Sequence, residues 1–202
     1  MSFVVERLIM FRFLLLLFVL SAYGSVAVAA DDVVINDFEA DTFGTWVVEG
    51  EAFGPGPVQG AVDGQMPVSG VLGKGVANSF SKGDGAVGTL TSPEFVITHE
   101  HIAFLIGGGK IPDALGIELL ADGQRVRSET GHESEGMKWE SWNVSELIGR
   151  RVKLRIFDRA TGGWGHILVD QIIQTDTSRH VITVDRLSSY RKSKDYYQEP
   201  FR

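Results

Sequence analysis

The residues best suited to do chemistry surround a tryptophan that stands among glycines. Trp164 belongs to the segment Gly162-Gly163-Trp164-Gly165-His166. Flanking glycines let the backbone approach a ligand closely, and an indole face offers apolar contact to the C–H groups of a sugar. Asp158 and Arg159 come shortly before it and could exchange hydrogen bonds with hydroxyl groups, as His166 could. This pattern predicts a carbohydrate contact formed by these four residues.

A structural interpretation of the same residues stays open. Trp164 could fill the core while its glycines only form a turn, and His166 could be a hydrogen-bonded structural histidine. Trp46 and Trp142 each adjoin a strand pattern and are predicted to be core residues. The five histidines are scattered without paired spacing, so they give no zinc motif.

Catalytic chemistry finds little support in the sequence. Glycoside hydrolysis uses two carboxyl groups that flank the bond, but acids are so numerous that no pair stands out, and we predict no catalytic residue. The chain has no cysteine, which excludes a cysteine nucleophile and cysteine-based zinc sites. The segment Gly107-Gly108-Gly109-Lys110 lacks the spacing of a phosphate loop. It is typical of a turn at the end of a strand.

Charge and the N-terminal pattern indicate where the protein acts. The formal net charge of −7 argues against nucleic acid or an anionic membrane surface as partner. Arg7 and Arg12 precede an apolar run, which gives way to small residues ending at Ala30. This order is typical of a secretory signal, and the run is short for a membrane span. We expect a secreted or periplasmic protein without membrane attachment after cleavage; an uncleaved anchor is the alternative.

Short apolar runs separated by turn residues predict the fold. The run from His101 to Ile106 predicts a buried strand, and Val152–Ile156 alternates apolar and basic residues as a half-buried strand does. Asp122-Gly123 lies between two such runs and predicts a β-hairpin. No segment has a sustained helical period. We expect an all-β protein, a jelly-roll-like antiparallel β-sandwich over residues 31–176, with a signal peptide at 1–30 and a linker-like tail at 177–202.

Several segments, taken in order, resemble a known family. They are Ile35–Trp46, Gly50–Gly54, Gln65–Gly75, Asn78–Phe80, Gly88–Pro93, Phe104–Gly109 and Gly162–Asp170. This set resembles the β-sandwich module that lies ahead of the catalytic propeller in secreted bacterial glycoside hydrolase family 32 proteins, the levanase-like fructan hydrolases. The tail from Tyr196 to Arg202 resembles the lead-in to that catalytic domain.

The resemblance implies a module rather than an enzyme. The family's catalytic motifs, Trp-x-Asn-Asp-Pro and Arg-Asp-Pro, are absent from this sequence, and its Glu-Cys pair is impossible without cysteine. The expected function is non-catalytic: to bind a fructan-type polysaccharide or to pack against a glycoside hydrolase catalytic domain. The alternatives are a levanase-type hydrolase and a structural exported domain without sugar affinity.

The resemblance to jelly-roll carbohydrate-binding modules also implies a metal site. In such modules an acid near the first strand and an aspartate on the last strand often share a structural Ca²⁺, an ion that prefers oxygen ligands. Asp37, Glu39 and Asp170 occupy the matching places here. Solvated or hydrogen-bonded acids at strand ends are the alternative, and a thermal melt unchanged by a chelator would exclude the ion.

Overall fold

The computed structural model describes residues 31–180, which form two six-stranded antiparallel sheets packed face to face. Sheet A contains β1 (Val33–Asn36), β3 (Val58–Gln59), β4 (Gly75–Asn78), β7 (His101–Gly108), β10 (Ser134–Asn143) and β12 (Ile167–Thr175). Sheet B contains β2 (Val47–Gly50), β5 (Gly88–Thr91), β6 (Phe95–Val96), β8 (Leu115–Ala121), β9 (Gln124–Glu129) and β11 (Arg151–Asp158). A short 3₁₀ turn, Ser145–Leu147, precedes β11.

The strand order is that of a jelly-roll-like sandwich. Sheet A has the order β10-β7-β12-β4-β3, with β1 also paired to β12, and sheet B has the order β2-β5-β11-β8-β9, with β6 also paired to β11. Most connections therefore cross from one sheet to the other. The predicted all-β antiparallel sandwich is confirmed.

The main core lies between the sheets and follows from the alternation of side chains along each strand. In β11, Val152, Leu154 and Ile156 are buried, while Arg151 and Lys153 are exposed. Phe104 meets Trp142 edge-on, with ring centroids 4.7 Å apart. Trp46 and Trp142 are both buried, as the strand pattern predicted.

The outer face of sheet A carries a second apolar cluster. Val76, Leu105, Met137 and Leu168 form it, and a segment at residues 58–74 lies over it with Val58, Val68 and Val71 packed against the cluster. We call residues 58–74 the cover segment. It is tied to β10 by Ser69, whose amide donates to the Glu135 carbonyl and whose carbonyl accepts from the Met137 amide. Side chains on this face are thus buried although they point away from the main core.

Two further predictions can be placed against the structure. Asp122 and Gly123 form the turn between β8 and β9 with φ values of 50° and 75°, so the predicted hairpin is confirmed. The signal peptide predicted at residues 1–30 lies outside the described residues, as does most of the predicted tail. Between residues 31 and 180, no helix is long and apolar enough to cross a membrane.

Candidate functional site

Trp164 lies in the loop between β11 and β12, at the end of the sandwich where β4 and β7 also end. Its side chain is half-buried, and its backbone has a φ of 62°, which is unusual for a bulky residue. The loop closes on itself where the Gly165 amide donates to the Gly162 carbonyl at 2.7 Å. Backbone strain of this kind persists only where the surroundings fix it.

The ring of His166 forms the floor beneath Trp164. The two rings stack with centroids 5.8 Å apart and an interplanar angle of 23°. Phe80 meets the same imidazole edge-on, with a centroid distance of 5.0 Å. His166 is only 3% exposed, so one face of the indole rests on a buried ring.

Two carboxyl groups from distant parts of the chain fix the His166 ring. Nδ1 lies 2.7 Å from Asp84 Oδ1, and Nε2 lies 3.0 Å from Glu135 Oε1. Asp84 comes from the β4–β5 loop, and Glu135 from β10. An ionised carboxylate only accepts hydrogen bonds, so each ring nitrogen facing one must carry a proton. Each of the two contacts therefore holds one proton between a ring nitrogen and a carboxyl oxygen.

The network continues from Glu135 into the cover segment. Gln65 Nε2 donates to Glu135 Oε2 at 3.2 Å, and Asn78 Nδ2 donates to Gln65 Oε1 at 2.7 Å. Sequence analysis missed Asp84, Glu135 and Gln65. Asp84 and Glu135 lie 82 and 31 positions from His166, so no local spacing connects them.

Asp158 lies beside this network below the surface. It is 1% exposed, and burial raises the pKa of its carboxyl to about 6, although the Ser79 hydroxyl, the Ala160 amide and His166 partly counteract the effect. Oδ1 accepts the Ala160 amide at 3.1 Å. Oδ2 has no hydrogen-bond partner among residues 31–180.

Arg159, in contrast, lies at the surface. Its guanidinium lies 4.7 Å from the centroid of the Phe157 ring, and Nη1 donates to the Asp113 carbonyl at 3.2 Å. Of the four residues predicted to contact sugar, the structure therefore leaves Trp164 and Arg159 within reach of a surface ligand. Asp158 and His166 are brought close to them but lie underneath.

The three predicted calcium ligands lie at the edge of the cover segment. Both oxygens of Asp170 accept backbone amides, Leu72 at 2.9 Å and Gln171 at 2.6 Å. Burial raises the pKa of Asp170 to about 6; the two amide hydrogen bonds oppose this shift, and the nearby charges of Glu39 and Asp37 contribute to it. Glu39 Oε1 accepts the amides of Lys74 and Gly75, both at 2.8 Å, and these bonds lower the pKa of Glu39.

These acids hold the chain path in the structure rather than forming a ready-made ion cage. Within residues 31–180, no three histidine, aspartate or glutamate side chains converge so that they could bind one metal ion. A calcium ion at Asp37, Glu39 and Asp170 stays a prediction.

Sequence comparison links the chain to a much longer protein. A protein of Aspergillus rugulosus named "Putative glycosyl hydrolase ecdE" is 39% identical over 150 residues. The match covers 73% of this chain and 21% of that protein, so the chain spans about a fifth of its relative's length. No protein-family profile matches the chain.

Several solved structures align with the chain at low identity. A cyclase from Fischerella sp. TAU gives a TM-score of 0.47 at 17% identity, covering 75% of this chain and 100% of that one. TmCBM61 in complex with β-1,4-galactotriose gives 0.46 at 15% identity, covering 71% and 97%. With TM-scores below 0.5, we infer nothing about ligand or activity from them.

Proposed function

We propose that this chain is a non-catalytic, carbohydrate-associated β-sandwich module of an exported glycoside hydrolase. The observation that supports this proposal most is the 39% identity to a stretch amounting to only 21% of a protein named as a glycosyl hydrolase. A stretch of that size fits one module of a multidomain enzyme. The module either binds the polysaccharide or packs against the catalytic domain.

We propose that the polysaccharide is a fructan, because several segments of the chain resemble family 32 levanase-like proteins. These include Gly162–Asp170, which carries the Trp164 loop. A signal peptide at residues 1–30 and a structural calcium ion at Asp37, Glu39 and Asp170 belong to the same proposal. Comparing thermal melts with and without a chelator tests for the ion.

Trp164 would carry the sugar contact in this proposal. One indole face rests on His166, so the other face is the one left for the C–H groups of a sugar ring. Because the imidazole below is held at both nitrogens, the indole has little freedom to lose on binding. Arg159, exposed at the start of the loop, can donate to sugar hydroxyls.

The acids near Trp164 favour binding over hydrolysis. A glycosidase needs one carboxyl group to protonate the leaving oxygen and another to attack or to activate water. Asp84 and Glu135 instead face the two nitrogens of one imidazole, and Asp158 is buried. Asp84 and Glu135 are thus engaged by the imidazole, and Asp158 lies beneath the surface.

Titration calorimetry of the purified protein with levan, inulin and galactan tests the proposal. We expect wild type to bind levan, Trp164→Ala to lose at least about tenfold in affinity, and no fructose to be released. Trp139→Ala is the matched control, since Trp139 is also half-buried but lies on the outer face of sheet A. Fructose release by wild type would instead support the enzyme alternative, and no binding to any of the three would support a structural domain.

A further inference from the structure

An open groove lies beside β9, at a place that the motifs did not indicate as a site. Its volume is about 340 Å³, which falls in the usual range for ligand pockets. Three apolar residues, Pro112, Leu115 and Val126, contribute to its lining, together with polar side chains from β9. Apolar contact beside convergent polar groups is what a sugar ring requires.

The two arginines that line the groove are already paired with acids. Arg125 Nη1 lies 2.7 Å from Asp113 Oδ1, and Arg127 forms an ion pair with Glu146. Glu129 is the remaining acid of the lining, and burial raises the pKa of its carboxyl. A charged ligand would have to displace these partners. An uncharged ligand with hydroxyl groups can instead accept from the arginines and donate to the acids.

Gly109 lies between the groove and the Trp164 loop. A Cβ atom at Gly109 would lie 1.8 Å from the Trp164 carbonyl oxygen and 2.9 Å from Cδ2 of Leu115, a groove residue. Thr130, also in the groove lining, donates to the Gly109 carbonyl at 3.3 Å. Arg159, which lies in the same β11–β12 loop as Trp164, donates to the carbonyl of Asp113, another residue that lines the groove. Gly109 therefore brings the backbone of the Trp164 loop close to one end of the groove.

We propose that this groove is a second subsite for the neutral polysaccharide chain whose first contact is Trp164. This inference rests on the proposed function and deepens it, because it makes the ligand an extended chain of uncharged sugar units rather than a single terminal sugar. A second groove, of about 520 Å³, is lined by Asp122, Arg150 and Lys153 at the other end of the strands. It has no comparable link to Trp164 and serves as the comparison.

Filling each groove in turn tests the proposal with short and long levan fragments as probes. Ser128 is exposed and lines the groove beside β9, so Ser128→Trp fills it without removing an ion pair. We expect this variant to lose about tenfold or more in affinity for long fragments and to bind short ones as wild type does. Lys153→Trp fills the other groove and should bind both like wild type.

The other outcomes overturn the inference in distinguishable ways. If Ser128→Trp binds long fragments as tightly as wild type, or loses short and long fragments equally, the groove is not a separate subsite. In both cases the Trp164 site still stands. If wild type binds no fragment of either length, the polysaccharide-binding role in the proposed function fails, and the subsite proposal fails with it.

Discussion

Asp158 and Asp170 are both buried and both have a raised pKa, but they differ in their hydrogen-bond partners. Both are at most 1% exposed, and burial raises the pKa of both carboxyls to about 6. Asp170 uses both oxygens to accept backbone amides, from Leu72 and Gln171. Asp158 uses one oxygen for the Ala160 amide, and its other oxygen has no partner in the described part of the chain.

The difference separates a structural region from a candidate functional one. The carboxyl group of Asp170 fixes the path of the cover segment, because one of its oxygens accepts the amide of Leu72. Buried polar groups are nearly always hydrogen-bonded, so an unpartnered oxygen calls for an explanation. The one at Asp158 lies beside the His166 network, where side chains rather than backbone amides hold the surface residue Trp164 in place.

The largest expected effect comes from removing His166, which lies at the centre of the side-chain network beneath Trp164. In His166→Ala, Glu135 keeps its buried position but loses the proton donor that faces it, so the free energy of unfolding should fall by about 4 kcal/mol. Urea denaturation measures this. The matched control is His132→Ala, a half-buried histidine whose ring bonds only the Gly136 carbonyl. Equal losses in the two variants would contradict a special role for the His166 network.

The next effect concerns pH. Because the folded-state pKa of Asp158 lies near 6, above its ordinary 3.8, the native state keeps this proton to higher pH than the unfolded chain does. Its stabilising contribution is complete below about pH 4 and is lost as pH rises to about 6, a change of up to about 3 kcal/mol.

Replacing Asp158 by asparagine isolates that contribution. Asparagine cannot ionise, so the stability of Asp158→Asn relative to wild type should rise between about pH 4 and pH 6 and level off above. Urea denaturation at a series of pH values measures the difference. A difference that stays constant with pH would show that burial does not shift the pKa of Asp158.

The smallest expected effect is a difference in the free energy of unfolding between asparagine variants of the two aspartates, measured at a fixed neutral pH. Asp170→Asn turns one acceptor oxygen into an N–H donor that faces a backbone amide, so we expect this variant to be about 2 kcal/mol less stable than Asp158→Asn, since removing the ionised carboxyl relieves the same burial penalty in both. Asp158→Asn places its donor where no partner is lost and should cause no loss. If thermal or urea denaturation shows both variants equally destabilised, the distinction between the two regions is wrong.

Much of the fold could be predicted from local patterns. Alternation in Val152–Ile156 and the long apolar run ending at Ile106 placed strands correctly, and Asp122-Gly123 placed a hairpin, because these signals depend on neighbours along the chain. The candidate site could be predicted only in part. Trp164 stood out through its glycines, but Asp84 and Glu135 resembled ordinary loop and strand residues.

The sequence by itself determined the all-β class, the absence of cysteine chemistry and the loop that presents Trp164, since composition and short-range periodicity specify these properties. Only the tertiary structure decided that His166 lies buried between two acids, that Asp158 is beneath the surface, and that a groove adjoins Trp164 across Gly109. The physical reason is that sandwich strands pair across long stretches of chain. Partners at one end of the sheets are therefore set by register and packing, which leave no regular spacing in the sequence.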